Sequence, residues 1–321
     1  MQEVFNRYIN YLVAERNVSP YTVRNYTSDL VGNSKRGTEK GFFQFLRMKK
    51  IESLDKADKW VLREYLAYLA NQGVAKASIA RKLSAIRSFY RYLSREKILD
   101  TNPLEHSVSP KLDKRLPEFL TIEEVVKLLQ APDLSTPQGL RDRALIELIY
   151  ASGLRVSELV NLNIENINTE SHEIRVWGKG SKERMVLMGE HAAAAIVNYL
   201  TNGRPKLLVK RTGGNALFLN RDGNRLTERM VQLLMHKYAG LAGIEKDVHP
   251  HLLRHTFATH MLDGGADLRV VQELLGHSNL STTQIYTHVT HGQARKVYLA
   301  AHPMAKSEGK IDEDRQENNR T

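Results

Sequence analysis

No cysteine occurs anywhere in the 321 residues, which excludes disulfides, thiolate nucleophiles and cysteine-based zinc sites. The chain also lacks any apolar run long enough to span a bilayer, so no membrane partner is expected. Its opening, MQEVFNRYINYLVAERN, is amphipathic and charged where a secretory leader carries an apolar core. These features lead to the expectation of a soluble, cytoplasmic protein. Acidic residues are in short supply: 36 Asp and Glu stand against 47 Lys and Arg, giving a formal net charge of +11 and a pI near 9.6. Such an excess fits a polyanionic partner, because clustered cations gain free energy by displacing counterions from phosphates, although a solvated basic surface has the same composition. With 41% hydrophobic residues the chain can bury a substantial core, and its length points to two domains.

Apolar positions at helical spacing run from residue 1 to about 100, with a helix start at Ser19-Pro20 and a break in periodicity from Val31 to Gly41 that reads as an exposed loop. Between Lys76 and Lys97, Ile79, Leu83, Ile86, Tyr90 and Leu93 recur at steps of three and four and define a buried face. Arg81, Arg87, Arg91 and Arg95 fall on the other side, beside the small Ser84 and Ser88. That cationic face suits a DNA backbone or groove, and a solvated helix face explains it equally well. A Pro-containing, Lys-rich stretch then resembles a linker. The expected division is a helical domain over 1–106, a linker over 107–116, a second domain over 117–305 and a disordered tail over 306–321. Thr121 caps a helix with Glu123 and Glu124 in its first turn, expected near 121–130, and another helix is expected near 138–151. HEIRVWGKGSKERMVLMG alternates around Gly178-Lys179-Gly180-Ser181 and reads as a β-hairpin with a basic tip. The fold class is therefore mainly α with a small antiparallel β-sheet.

Four separated segments carry polar groups with chemical possibilities. In the segment Gly153 to Leu159, Ser157 is expected to cap a helix, with Arg155 placed before it where an anion is already favoured. Lys179 lies between two glycines that permit close backbone approach, and an ordinary turn lysine competes with that reading. A helix starting at Pro250 places His251 and Arg254 on one face, leaving Leu252, Leu253, Phe257 and Met261 for the core. A glycine at 276 ends another helix ahead of His277, and Tyr286 follows on a short helix, where it is either functional or an ordinary amphipathic tyrosine. Together these groups fit phosphoryl transfer. Guanidiniums and imidazoles supply preorganised donors for the charge on non-bridging oxygens, and neighbouring cations favour a phenolate. The absence of a compact carboxylate cluster agrees with chemistry that uses no metal and no cofactor.

At these residues the sequence resembles the tyrosine recombinase, or phage integrase, family. Arg155, Lys179, His251-Leu-Leu-Arg254, His277 and Tyr286 meet the family's pattern in order, and LRHTFATHML and ELLGHSNLSTTQIYTH are similar to its diagnostic stretches. GKGSKERMV, LPEFLTIEEV and ARKVYLAAHPMA resemble the Xer branch, while the Val31–Gly41 loop is longer than is usual there. The resemblance implies a helical SAM-like core-binding domain joined to an α+β catalytic domain, forming a C-shaped clamp on DNA. It further implies attack by Tyr286 on a phosphate, a 3′-phosphotyrosyl link and a Holliday junction. Arg155 and Arg254 would hold the oxygens, assisted by His277. Lys179 would be the general acid, with Lys182 in the same hairpin, and His251 would be the acid/base partner. The partner would be a double-stranded recombination site, gripped by a homotetramer or by a heterotetramer with a second recombinase, in chromosome or plasmid dimer resolution. An apolar stripe of Ala294, Val297, Tyr298 and Ala301 would dock on a neighbouring protomer or pack back on its own domain.

A mobile-element integrase and a type IB topoisomerase use the same chemistry. A non-catalytic DNA-binding protein on the same scaffold is a further alternative, as is a zinc hydrolase suggested by His251 and His255 at i, i+4. The hydrolase motif would need Glu where Leu252 stands.

Overall fold

A computed structural model describes residues 1–16, 18–32, 40–105, 118–177, 183–208, 214–276 and 291–305. The chain divides into two compact units, Met1–Leu116 and Pro117–Thr321. The expected linker at 107–116 and the tail at 306–321 lie outside the described residues.

The first unit is helical: α1 Gln2–Ala14, α2 Pro20–Leu30, α3 Phe42–Met48, α4 Lys59–Asn71 and α5 Lys76–Arg95. Local chemistry sets the starts. Ser19 accepts the Thr22 N–H with Pro20 in the first turn of α2, and Asp58 accepts the Trp60 and Val61 N–H groups ahead of α4. The core is rich in aromatic rings, with Tyr8 5.2 Å from Phe89, Phe43 5.4 Å from Phe89 and Phe42 5.2 Å from Tyr65. On α5 the periodic residues Ile79, Leu83, Ile86, Tyr90 and Leu93 are buried as their spacing predicts. Lys82, Ala85, Phe89 and Tyr92 are buried too, because α5 is flanked by both α2 and α4, so the covered face is wider than one stripe. Of the expected loop from Val31 to Gly41, residues 33–39 lie outside the described residues. Its two ends meet, the Gly41 backbone lying against Val31 and Gly32, while Tyr65 Oη and Lys82 Nζ both donate to the Lys40 carbonyl at 2.6 and 3.1 Å.

The second unit is built around α7. Its elements are α6 Ile122–Gln130, α7 Pro137–Ser152, α8 Val156–Asn161, β1 Ile167–Asn168, β2 Glu173–Trp177, β3 Glu183–Leu187, α9 Glu190–Asn198, α10 Arg204–Leu207, α11 Glu228–Leu241, α12 Pro250–Asp263, α13 Leu268–Leu275 and α14 His291–Ala301. Thr121 and Glu124 cap α6 reciprocally, as the sequence pattern requires. α7 is buried on every side, so its polar residues need internal partners: Arg141 pairs with Asp142, which also accepts from Tyr238, and Glu147 pairs with Arg143. The strands form an antiparallel sheet in the order β1-β2-β3, with Trp177 opposite Glu183 at the end nearest the hairpin tip. The tip, with Lys179 and Lys182, lies outside the described residues.

Packing bears on two expectations. Ser157 does not cap α8: it lies inside the helix, and Arg155 occupies the cap position because Glu158 folds back to accept the Arg155 N–H at 2.9 Å. The stripe on α14 packs on its own unit. Tyr298 and Ala301 are buried with Phe257, Met261 and Val270, and Ala294 and Val297 lie against the same cluster. No helix among the described residues is long and apolar enough to cross a membrane.

Candidate active site

Three helix ends build the site. α7 stops at Gly153, whose φ of 58° is left-handed and is tolerated because glycine has no Cβ. Phe257 and Leu275 close in on that position so tightly that a Cβ would lie 2.6 and 2.8 Å from their carbons. Leu154 then plugs into the core, and Arg155 adopts an extended backbone before α8.

The other contributors are α12 and the end of α13. His249 caps α12 by accepting the Leu252 N–H at 3.1 Å, and Leu252, Leu253, Phe257 and Met261 bury the inner face. This turns Arg254 toward Gly153: one terminal nitrogen donates to the Gly153 carbonyl and the other to the Leu275 carbonyl at 2.7 Å. α13 ends at Gly276, again left-handed with φ 65°. The Gly276 carbonyl accepts Arg155 Nη2 at 3.1 Å. Two guanidiniums from segments 99 residues apart thus end on consecutive carbonyls of one helix C-terminus, where unpaired carbonyls and the helix dipole favour cations.

Of the six expected site residues, Arg155, His251 and Arg254 are brought into this neighbourhood, while Lys179, His277 and Tyr286 lie outside the described residues. Two further participants were quoted in the motifs without a role. Glu158 accepts Arg155 Nη1 at 2.9 Å, and Arg184 on β3 donates to both Glu158 oxygens at 2.8 and 3.0 Å. A Glu three residues after Arg155 at a helix start was a legible signal for the first, and nothing local marked the second. The four cations on α5 separate. Arg81 pairs with buried Asp29, and Arg95 lies 3.9 Å above the Tyr11 ring while pairing with Glu15 and Glu96. Arg91 is exposed and its Nε donates to the Arg87 carbonyl at 3.4 Å. His255 is exposed on α12, and among the described residues no three His, Asp or Glu stand close enough to hold a metal.

Residues 118–293 match the phage integrase family, and residues 5–97 match the N-terminal SAM-like domain of phage integrases. A tyrosine recombinase XerC from Pelotomaculum thermopropionicum is 46% identical over 306 residues, which cover 94% of this chain and 98% of that one. The chain belongs to the phage integrase family.

Within it, the chain is a tyrosine-type site-specific recombinase of the Xer kind. A tyrosine recombinase XerD from Staphylococcus epidermidis is 41% identical, covering 95% of this chain and 100% of that one. The crystal structure of the XerH recombinase bound to its palindromic difH substrate after cleavage superposes with a TM-score of 0.66 at 25% identity, covering 93% of this chain and 80% of that one. A lambda integrase dimer on a core site shares the fold at a TM-score of 0.63 and 18% identity, covering 90% of this chain and 99% of that one.

The recombinase's electrostatics follow from burial among like charges. Burial first, then the nearby Arg155, depresses the Arg254 guanidinium to about 10, which still leaves it charged at neutral pH. Partial burial lowers the His251 imidazole, and His249, Arg254 and Arg155 lower it further, which favours the neutral ring. Burial alone would raise the Glu158 carboxyl. The donors from Arg184 and Arg155 override that effect and hold it below the ordinary value, as an anion.

Proposed function

We propose that this recombinase cleaves and rejoins double-stranded DNA through a covalent bond to Tyr286. The Tyr286 oxygen attacks the scissile phosphorus, the bond to the 5′ oxygen breaks, and Lys179 protonates that leaving oxygen. A 3′-phosphotyrosyl ester results. Attack by a 5′ hydroxyl from a partner duplex reverses the step and regenerates the tyrosine, so the ester energy is retained and no nucleotide cofactor enters. Arg155 and Arg254 bind the non-bridging oxygens, His277 assists them, and neutral His251 exchanges a proton near the nucleophile.

The observation that carries this reading is the convergence of Arg155 and Arg254 on the Leu275 and Gly276 carbonyls, directly before His277 in the chain. Carbonyls orient Arg254 without cancelling its charge, and Arg155 shares the Glu158 carboxylate with Arg184, so net positive charge is left to receive a dianionic transition state. In the first unit, residues 1–106 would act as the core-binding domain. There Arg91, exposed on α5, and Arg87 one turn before it would meet the DNA backbone. Residues 107–116 would be the linker, 117–305 the catalytic domain and 306–321 a tail. Four protomers, identical or shared with a second recombinase, would exchange strands in pairs through a Holliday junction to resolve chromosome or plasmid dimers in the cytoplasm.

The test is to incubate the chain with nicked suicide duplexes drawn from its own genome and to map both the attached DNA and the linked peptide. The expected product is a 3′-phosphate ester on the peptide containing Tyr286, lost in Tyr286→Phe with duplex binding retained. Covalent capture that persists in Tyr286→Phe overturns the assignment.

A further inference from the structure

Glu158 poses an electrostatic problem. It is buried, it accepts both the backbone N–H and Nη1 of Arg155, and as an anion it would by itself cancel the charge on a guanidinium that must bind a phosphate. Arg184 answers it. Its Nη1 and Nη2 donate to Oε1 and Oε2 of Glu158 in a two-pronged pair, so four donors fill the acceptor sites of one carboxylate. Three guanidiniums, Arg155, Arg184 and Arg254, then face a single carboxylate, and two positive charges remain uncompensated where only one would remain without Arg184. Geometry fixes Arg184 from a second direction. It packs against Gly276, where a Cβ would stand 2.8 Å from its Nε and 2.9 Å from its Cζ, and Gly276 is the residue whose carbonyl orients Arg155.

We infer that Arg184 is a positioning residue: it takes up the charge of Glu158 so that Arg155 stays cationic toward the DNA while Glu158 still fixes its orientation. It acts through Glu158 rather than by touching the reacting atoms. The role rests on the phosphate-binding reading of Arg155 given above. A rival role exists, since Arg184 Nε is buried and meets no acceptor among the described residues. That donor would serve a DNA phosphate if Arg184 contacted the backbone itself.

The experiment uses the full chain and the nicked duplex that the wild-type protein captures covalently, with Arg184→Gln, Arg184→Lys, Glu158→Gln, the Arg184→Gln/Glu158→Gln double variant and Tyr286→Phe. Single-turnover cleavage at saturating protein, Tm and the salt dependence of duplex binding are measured for each. Loss of a charge-assisted pair predicts that Arg184→Gln cleaves about 10- to 100-fold more slowly, with Tm and the salt slope close to wild type. Arg184→Lys, which keeps the charge and one donor to the carboxylate, recovers part of the rate. The double variant is no slower than Arg184→Gln alone, because a neutral amide at 158 no longer competes for Arg155. A merely structural Arg184 would give additive losses that track Tm, and a direct phosphate contact would lower the salt slope by about one. Either result, or wild-type cleavage by Arg184→Gln, overturns the inference. If Arg184→Gln does not fold, Arg184→Lys carries the test: it must be slower than wild type, and Glu158→Gln must not slow it further. Failure of the wild-type chain to capture any duplex, or capture surviving in Tyr286→Phe, strikes the underlying reading instead.

Discussion

The Asp29 and Arg95 pairings of the first unit and the Arg254 site of the second treat their cations in opposite ways. In the first, positive charge meets negative charge or a ring: Arg81 and Lys82 converge on buried Asp29, and Arg95 is shared between Tyr11, Glu15 and Glu96. In the second, Arg254 gives its donors to the carbonyls of Gly153 and Leu275, and Arg155 gives one to Gly276. A carboxylate satisfies a donor and cancels its charge, whereas a carbonyl satisfies the donor and leaves most of the charge in place. Hydrogen-bond satisfaction and neutralisation are therefore separable, and the proposed phosphate site lies where they part company. A count of Lys and Arg along the chain cannot see this distinction.

The contrast can be broken most severely at Arg254. Arg254→Ala should lower single-turnover cleavage by about a thousandfold, as loss of a preorganised transition-state donor does, measured on the suicide duplex. A modest loss would mean that its carbonyl contacts are only structural. In the first unit the largest expected effect is on stability. Asp29→Ala leaves Lys82 buried without its counter-charge and should cost about 3–5 kcal/mol, read as a drop in the urea midpoint of the unfolding transition of that unit. An unchanged midpoint would place Asp29 outside the load on this helical core. The smallest effect separates neighbours on one helix. Arg91→Gln should reduce the slope of log binding against log salt by about one, while Arg95→Gln leaves the slope alone and barely moves Tm, because its ring and ion-pair contacts are open to solvent. Equal slopes for both variants would erase the division drawn along α5.

Much of this architecture was legible because it is written in local chemistry. The periodic residues of α5 are buried, Ser19 and Thr121 cap the helices they precede, and the alternation around residues 178–182 gives β2 and β3. What stayed hidden depends on what arrives from elsewhere. Ser157 looked like a cap by residue type, yet Glu158 supplied the acceptor and moved the helix start to Arg155. Arg81 and Arg95 look like groove-facing cations on a helical wheel, which carries no record of Asp29, 52 residues away from Arg81, or of Tyr11. The Glu158–Arg184 pair joins a helix to a strand 26 residues on, and periodicity is blind to such a meeting. The stripe on α14 was visible as a stripe, while the surface that covers it, built from Phe257, Met261 and Val270, could be found only in three dimensions.

Gly153 shows how finely the anion cradle is gauged. The turn that launches Arg155 and the helix that carries Arg254 are separated at that residue by less room than one methyl group needs. Any side chain there would act as a shim, levering α12 outward and opening the gap between the two guanidiniums without altering either of them. The spacing on which the proposed phosphate contact depends is thus set by an atom the chain does without.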